Sequence, residues 1–455
     1  MIALRRALRL AVTAVLAFAL GVQPAMAQSI LRDAETEAFM RDLGTPLAQT
    51  AGLNPRSVQF LLIGDPSLNA FVTGGQNVFF HSGTLMQADD VSQIQGVMAH
   101  ELGHITGGHN VRFADEGGKA ATGISILSIL LGAAAIAAGA GEAGAGILAA
   151  GQQAALGKFL AYSRNQESAA DLAGAEFLDK AGITGRGSIA FFKKLENQEF
   201  RYGYNRADPY MQTHPMSSDR IQTLTEVYQK SKYWDTPVDA ALNARFMRIK
   251  GKLIGFSEEP ARTFQLYPET DQSVAARYAR AYAYHKQAFP EKAVAEVDKL
   301  LATDPTDPYF LELKGQVLLE SGKVADAIPP LRTAVRRAPD QPLIASLLGH
   351  ALISTEDPAN LKEATEILRA AVARDNSNPF AWYQLGIAYE RQGDESRAAL
   401  ATAERFSLEG DNMRALPNAR RAMQGLKTGT PDWIRAQDIA MASQGELERM
   451  KKQRR

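Results

Sequence analysis

Cysteine is absent from the 455 residues. No disulfide can therefore hold this chain together, and lipoprotein processing at its start is excluded. Net charge is absent as well, because 50 Lys and Arg stand against 50 Asp and Glu. That balance leaves no field to draw in nucleic acid or an acidic membrane surface, and nucleic acid is excluded as the expected partner. Charge almost vanishes from one internal stretch: between Lys119 and Lys158 lie 38 residues whose sole charged side chain is Glu142. What is present has the composition of a folded protein, too long for a single ordinary core, so two or three domains of ~100–200 residues are expected.

Arg5, Arg6 and Arg9 precede an apolar run from Leu10 to Leu20, and the small-residue pattern Ala25-Met26-Ala27 follows. This reads as a signal peptide over 1–27 cleaved after Ala27; the alternative is an uncleaved anchor, for which the run is shorter than the ~20 residues a bilayer crossing needs. The expected destination is a bacterial periplasm, with the protein soluble or peripherally membrane-associated. There, without cysteine, packing and metal alone must hold the fold.

Ser29 to Ala51 has helical apolar spacing, and Val58 to Ile63 reads as a buried strand ended by Gly64-Asp65-Pro66. Asn69 to Thr73 and Asn77 to His81 form two β-rich runs around Gly74-Gly75-Gln76, the signature of a hairpin. Asp89 to Gly108 returns to helical periodicity, with Val91, Ile94, Val97, Met98, Glu101 and Leu102 giving one largely apolar face. After about Pro268 a period of 34 appears, as between Ala281 and Gly315, Gly315 and Gly349, and Ala293 and Ala327. Gly349 and Gly386 are 37 apart, and the three extra residues are assigned to a loop at Thr355-Glu356-Asp357-Pro358. Asp307-Pro308, Gln341-Pro342 and Asn378-Pro379 recur where helices should start. This half resembles the tetratricopeptide repeat, which implies an α-solenoid.

The chemistry is concentrated in His100-Glu101-Leu102-Gly103-His104. Residues four apart share a helix face, so His100 and His104 can offer ring nitrogens to one tetrahedral zinc while Glu101 projects beside them as a candidate general base. A chance match on an amphipathic helix is the competing explanation. Glu167 is the candidate third ligand, and Asp171, four residues on, would face the same way and orient a ligand imidazole. Two solvated acids on a helix are the plainer reading of that pair. His109 is a rival third ligand, because Gly107 fits the extended pattern His-Glu-x-x-His-x-x-Gly-x-x-His. It falls one residue early, and it is read as structural.

The string Ala99 to His104, the later Glu167-Ser168-Ala169-Ala170-Asp171 and the hairpin with Asn69-Ala70-Phe71 and Gly74-Gly75 together resemble the HtpX and CAAX-prenyl-protease family of zinc endopeptidases. The signal peptide and repeats narrow the likeness to periplasmic members of that family. The resemblance implies one Zn2+ per chain on His100, His104 and Glu167, with Glu101 as general base. It also brings in His214, followed by Pro215 and Arg220. That histidine would either hydrogen-bond a developing oxyanion or occupy the open metal position, with Arg220 steadying the region. Asn69, Ala70 and Phe71 would lie on a strand edge that pairs with an extended substrate, or else on an internal strand.

The expected fold is mainly α: a zincin-like α+β metalloprotease domain with a small β-sheet over 28–265, then a tetratricopeptide-repeat domain over 270–410, with capping helices and a charged tail over 411–455. The apolar insert, about 120–157, reads as a helical hairpin that covers the cleft or touches a membrane peripherally. A single crossing would part Glu167 from the two histidines, and two crossings need more residues. The expected function is hydrolysis of misfolded or misassembled envelope and outer-membrane polypeptides, with the repeats docking on outer-membrane assembly machinery. A chaperone or scaffold with a latched site is the alternative. An integral-membrane protease ranks last, for want of several long apolar spans.

Overall fold

The computed structural model describes residues 30–109, 150, 163–202, 214 and 218–453. The expected signal peptide and nearly all of the apolar insert lie outside the described residues. Among the described residues no helix is long and apolar enough to cross a membrane.

Strand β1 (Ile30–Leu31) leads into helix α1 (Ala34–Thr50), whose start is capped by the Asp33 carboxylate accepting from the Thr36 N–H. Among the described residues, strands β2 (Gln59–Ile63), β3 (Ala70–Thr73) and β4 (Asn77–His81) join β1 in a four-stranded sheet of order β1-β2-β4-β3. β2 and β4 are parallel, whereas β3 and β4 form the expected antiparallel hairpin in which Ala70 faces Phe80 and Thr73 faces Asn77. Among the described residues β3 is the outer strand of the sheet. Strand alternation decides the faces: Ala70, Val72, Val78 and Phe80 are buried against the helices, while Phe71 and Phe79 stack on the opposite face with ring centres 5.2 Å apart.

Helix α2 (Ser82–Gln87) precedes helix α3 (Val91–Thr106), which Asp90 caps by accepting from the Ser92 N–H. Its spacing predicts one apolar face, but every residue from Val91 to His104 is buried. The sheet and α1 take the apolar face. A helix over 163–180 (α4) and helix α5 (Arg186–Tyr202) cover the rest, so the metal motif runs through the middle of the domain instead of along its surface. Helices α6 (Ser218–Gln229) and α7 (Ala240–Ser257) close this core, which extends from Phe39 to Ile254.

A short helix, α8 (Pro260–Leu266), leads to antiparallel pairs: α9 (Val274–Lys286) with α10 (Pro290–Leu301), α11 (Pro308–Glu320) with α12 (Val324–Arg337), α13 (Pro342–Ile353) with α14 (Pro358–Arg374), and α15 (Pro379–Arg391) with α16 (Glu395–Leu408). Helices α17 (Asn412–Gly425) and α18 (Pro431–Gln453) follow. The three extra residues do not lengthen a loop. Asp357 caps a helix that begins at Pro358 and runs for 17 residues, against 14 in α12, so the insertion is absorbed as an additional first turn.

The repeats pack on the first domain through charge. The Arg248 guanidinium of α7 makes two bonds to Asp307, of 2.6 and 2.8 Å, lies 4.0 Å above the Phe310 ring and contacts Glu35. Asp307 also caps α11 by accepting from the Tyr309 and Phe310 N–H groups. Lys252 meets Asp33, and the Tyr278 hydroxyl donates to Glu35 at 2.8 Å. Fully buried Arg280 donates to the Pro268 and Asp271 carbonyls and to Glu296, tying the connecting segment down.

Candidate metal centre

α3 and α4 carry five of the expected site residues, and their mutual distance is set by a glycine. A Cβ on Gly103 would lie 2.5 Å from the Ala170 carbonyl oxygen, so only a hydrogen there lets the two backbones approach this closely. Glu167, one turn before Ala170 on α4, is thereby brought against His100 and His104. Glu167 Oε2 lies 3.4 Å from His100 Nε2 and Oε1 lies 3.3 Å from His104 Nε2, while the two Nε2 atoms are 3.1 Å apart. The two histidines at i, i+4 and the acid on α4 are thus brought together.

His214 joins them. Its Nδ1 is 3.1 Å from both Glu167 oxygens and 3.3 Å from His100 Nε2, and its Nε2 lies 3.2 Å from the Ala70 carbonyl of the edge strand. One donor atom from each of His100, His104, Glu167 and His214 falls within 4.8 Å of all the others, and all four residues are buried. Such a nitrogen and oxygen set can hold a metal ion. Asp171 and Arg220 stand behind it: Asp171 Oδ1 is 2.9 Å from His100 Nδ1, and Arg220 makes two bonds to Asp171, of 2.7 and 2.9 Å. Arg220 also reaches Glu167 at 3.2 Å and lies over the Phe192 ring.

The electrostatics favour a cation. Burial works to neutralise Glu167, but His214 and hydrogen bonds from His100, His104 and His214 hold its carboxyl well below the usual range. Asp171 is likewise held ionised despite burial, by His100 and Arg220. Burial opposes charge on the His100 ring, yet Asp171 and Glu167 raise it to about 10; burial and the neighbouring rings leave His104 at about 3 in spite of Glu167. Glu101 differs in kind. Burial pushes its carboxyl up, and neither oxygen has a hydrogen-bond partner among the described residues; His214 Nε2 is 3.6 Å from Oε1. A fully buried carboxyl without a hydrogen-bond donor is costly, and beside a metal-binding cluster it is placed to handle a proton.

Residues 14–228 match the sequence pattern of peptidase family M48. The chain carries an M48 metallopeptidase domain. Its activity is accordingly that of a metalloendopeptidase, a hydrolase of peptide bonds. The β-barrel assembly-enhancing protease of Yersinia pestis is 26% identical over 407 residues, covering 87% of this chain and 81% of its own length. That of Escherichia coli K12 is 26% identical over 411 residues, covering 88% and 81%. Among solved structures, YrrB, a TPR protein, is 21% identical, covers 39% of this chain and 92% of its own, and superposes with a TM-score of 0.32. The repeat architecture rests on the helix pairs themselves.

His100, Glu101, His104, Glu167, Asp171, His214 and Arg220 converge; of the expected strand residues Asn69, Ala70 and Phe71, Ala70 touches the cluster through its carbonyl and His214, and Phe71 stacks on Phe79 on the far face of the sheet. His109 does not join the ligand atoms, yet its Nδ1 is 2.9 Å from His104 Nδ1. Sequence spacing alone could not find this contact. Phe192, packed edge-on to His100 at 6.1 Å, was equally hidden within an ordinary amphipathic helix.

Proposed function

We propose that this chain is a zinc-dependent endopeptidase of the periplasm, holding one zinc ion per chain and cleaving misfolded or misassembled envelope and outer-membrane polypeptides. The observation that carries the reading is the Glu101 carboxyl, fully buried, without a hydrogen-bond donor among the described residues and beside four convergent donors, with His214 Nε2 3.6 Å away. In this reading His100, His104 and Glu167 hold the ion, which supplies Lewis-acid activation of water and of the scissile carbonyl. Glu101 takes the proton from the attacking water and delivers it to the leaving amine nitrogen. Arg220 fixes Asp171, and Asp171 fixes the ring of His100 so that its Nε2 lone pair faces the cluster. The names of the relatives, which refer to β-barrel assembly, support a role in the outer membrane, with the repeats as the docking surface for its machinery.

His214 supports a resting state that is shut. Its Nδ1 stands among the donor atoms where water would enter, and its Nε2 takes the Ala70 carbonyl on the strand edge that would pair with an extended substrate. Withdrawal of this one side chain would open both places together. That geometry favours the latching role over oxyanion stabilisation. A scaffold with a dormant site has no use for a costly buried Glu101, which counts against the alternative.

Metal analysis and casein cleavage by the purified chain test the reading. One zinc per chain with cleavage that rises several-fold in His214→Ala is expected. Absence of bound zinc would overturn it.

A further inference from the structure

Helix α3 ends in a local reversal that serves one contact. Gly107 terminates the helix, Gly108 adopts φ of +62°, and the chain turns so that the His109 ring comes back against His104. The ring centres are 4.9 Å apart at 79°, and His109 is buried. Space for that ring exists because residue 107 has no side chain: a Cβ there would lie 2.3 Å from His109 Nε2 and 2.7 Å from Cδ2 and Cε1. Two adjacent glycines, one needed for its dihedral and one for clearance, thus seat a single imidazole.

The atoms in contact define what the imidazole does. His104 turns Nε2 toward Glu167 and His100, and Nδ1 toward His109. A histidine that gives its Nε2 lone pair to a metal must carry its proton on Nδ1 and donate it. His109 Nδ1 must then accept, so the His109 proton sits on Nε2. His100 is held in the same tautomer by the Asp171 carboxylate. The two ring ligands are therefore supported by different acceptors, one anionic and one neutral, and only the first carries charge into the cluster.

We infer that His109 is a positioning residue that fixes the tautomer and ring orientation of His104 for metal binding, with Gly107 and Gly108 as the turn that delivers it. This rests on the metal-site reading above. It assigns His109 no ligand role and no contact with substrate.

The test measures zinc affinity of the full chain by chelator competition, together with the melting temperature of the metal-free protein. His109→Phe keeps the ring but removes the acceptor, and should weaken zinc binding by ~10–100-fold with little change in metal-free melting. His109→Asn places an amide oxygen near the position of Nδ1 and should recover most of that affinity. Gly107→Ala leaves His109 in the sequence but collides with its ring, and should fall with His109→Phe. Affinity within twofold of the parent in His109→Phe would overturn the inference, as would a loss that His109→Asn does not repair or one matched by a fall in metal-free melting. Should His109→Phe fail to fold, Gly107→Ala and His109→Asn still decide the matter by the same readout. A parent chain that binds no zinc would instead sink the metal-site reading itself, and this inference with it.

Discussion

The two halves of this chain bury opposite kinds of chemistry. Around α3 the interior holds His100, Glu101, His104, Glu167, Asp171, His214 and Arg220, a crowd of ionisable groups that could lower the free energy of folding only by pairing with one another. From α12 onward the repeat interior is mostly Ala, Leu and Ile at helical spacing, such as Ala327, Leu331, Leu348, Ala364 and Leu368, while the buried ionisable groups Arg280, Glu296 and Glu312 lie in α9, α10 and α11, next to the first domain. The first kind of core is specific and fragile, because each group depends on a named partner. The second is forgiving, since its stabilisation is spread over many similar contacts between neighbouring pairs.

The comparison can be broken or sharpened by substitution. The largest effect is expected at Glu101→Gln, which should lower kcat/KM by ~10²–10⁴-fold while bound zinc stays at parent level. Arg220→Met strips the charge partner from Asp171 and Glu167, and should cost the metal-free protein ~3–5 kcal/mol by denaturant unfolding. In the repeats, Leu368→Ala should cost ~2–5 kcal/mol and leave zinc affinity untouched; a shared loss of zinc would show that the halves are not separable in this way. The smallest effect depends on pH. Burial, with Asp33, Glu35 and Asp307 nearby, raises Glu312 to about 8 against the opposing pull of Lys252. Between about pH 4.5 and 8 the unfolded chain has released that proton and the folded chain has not, so stability falls as pH rises. Glu312→Gln should therefore raise the melting temperature at pH 8 and leave it unchanged at pH 4.

Much of the site was legible because helix geometry converts spacing into direction. His100 with His104, and Glu167 with Asp171, are four apart and do share faces. The repeat period was legible for a similar reason, and the position of its three extra residues was found, though not that Pro358 would start an added helical turn there. The contact between His109 and His104 was not legible, because it depends on a chain reversal at Gly107 and Gly108 and on clearance that only coordinates reveal. The seam between the halves was equally hidden. Glu35, Arg248, Lys252 and Asp307 are ordinary charged residues in sequence, and only the fold brings them together. His214 entered through family likeness, since a lone histidine before proline has no spacing relation to α3.

The central claim, that a buried M48 metal site uses Glu101 for chemistry and His214 for restraint, is tested most directly by casein cleavage and zinc content of His214→Ala with and without Glu101→Gln. The account predicts one zinc per chain in both proteins, faster cleavage than the parent in the single variant, and cleavage abolished in the double. Cleavage by the double variant at the rate of the single one would contradict it.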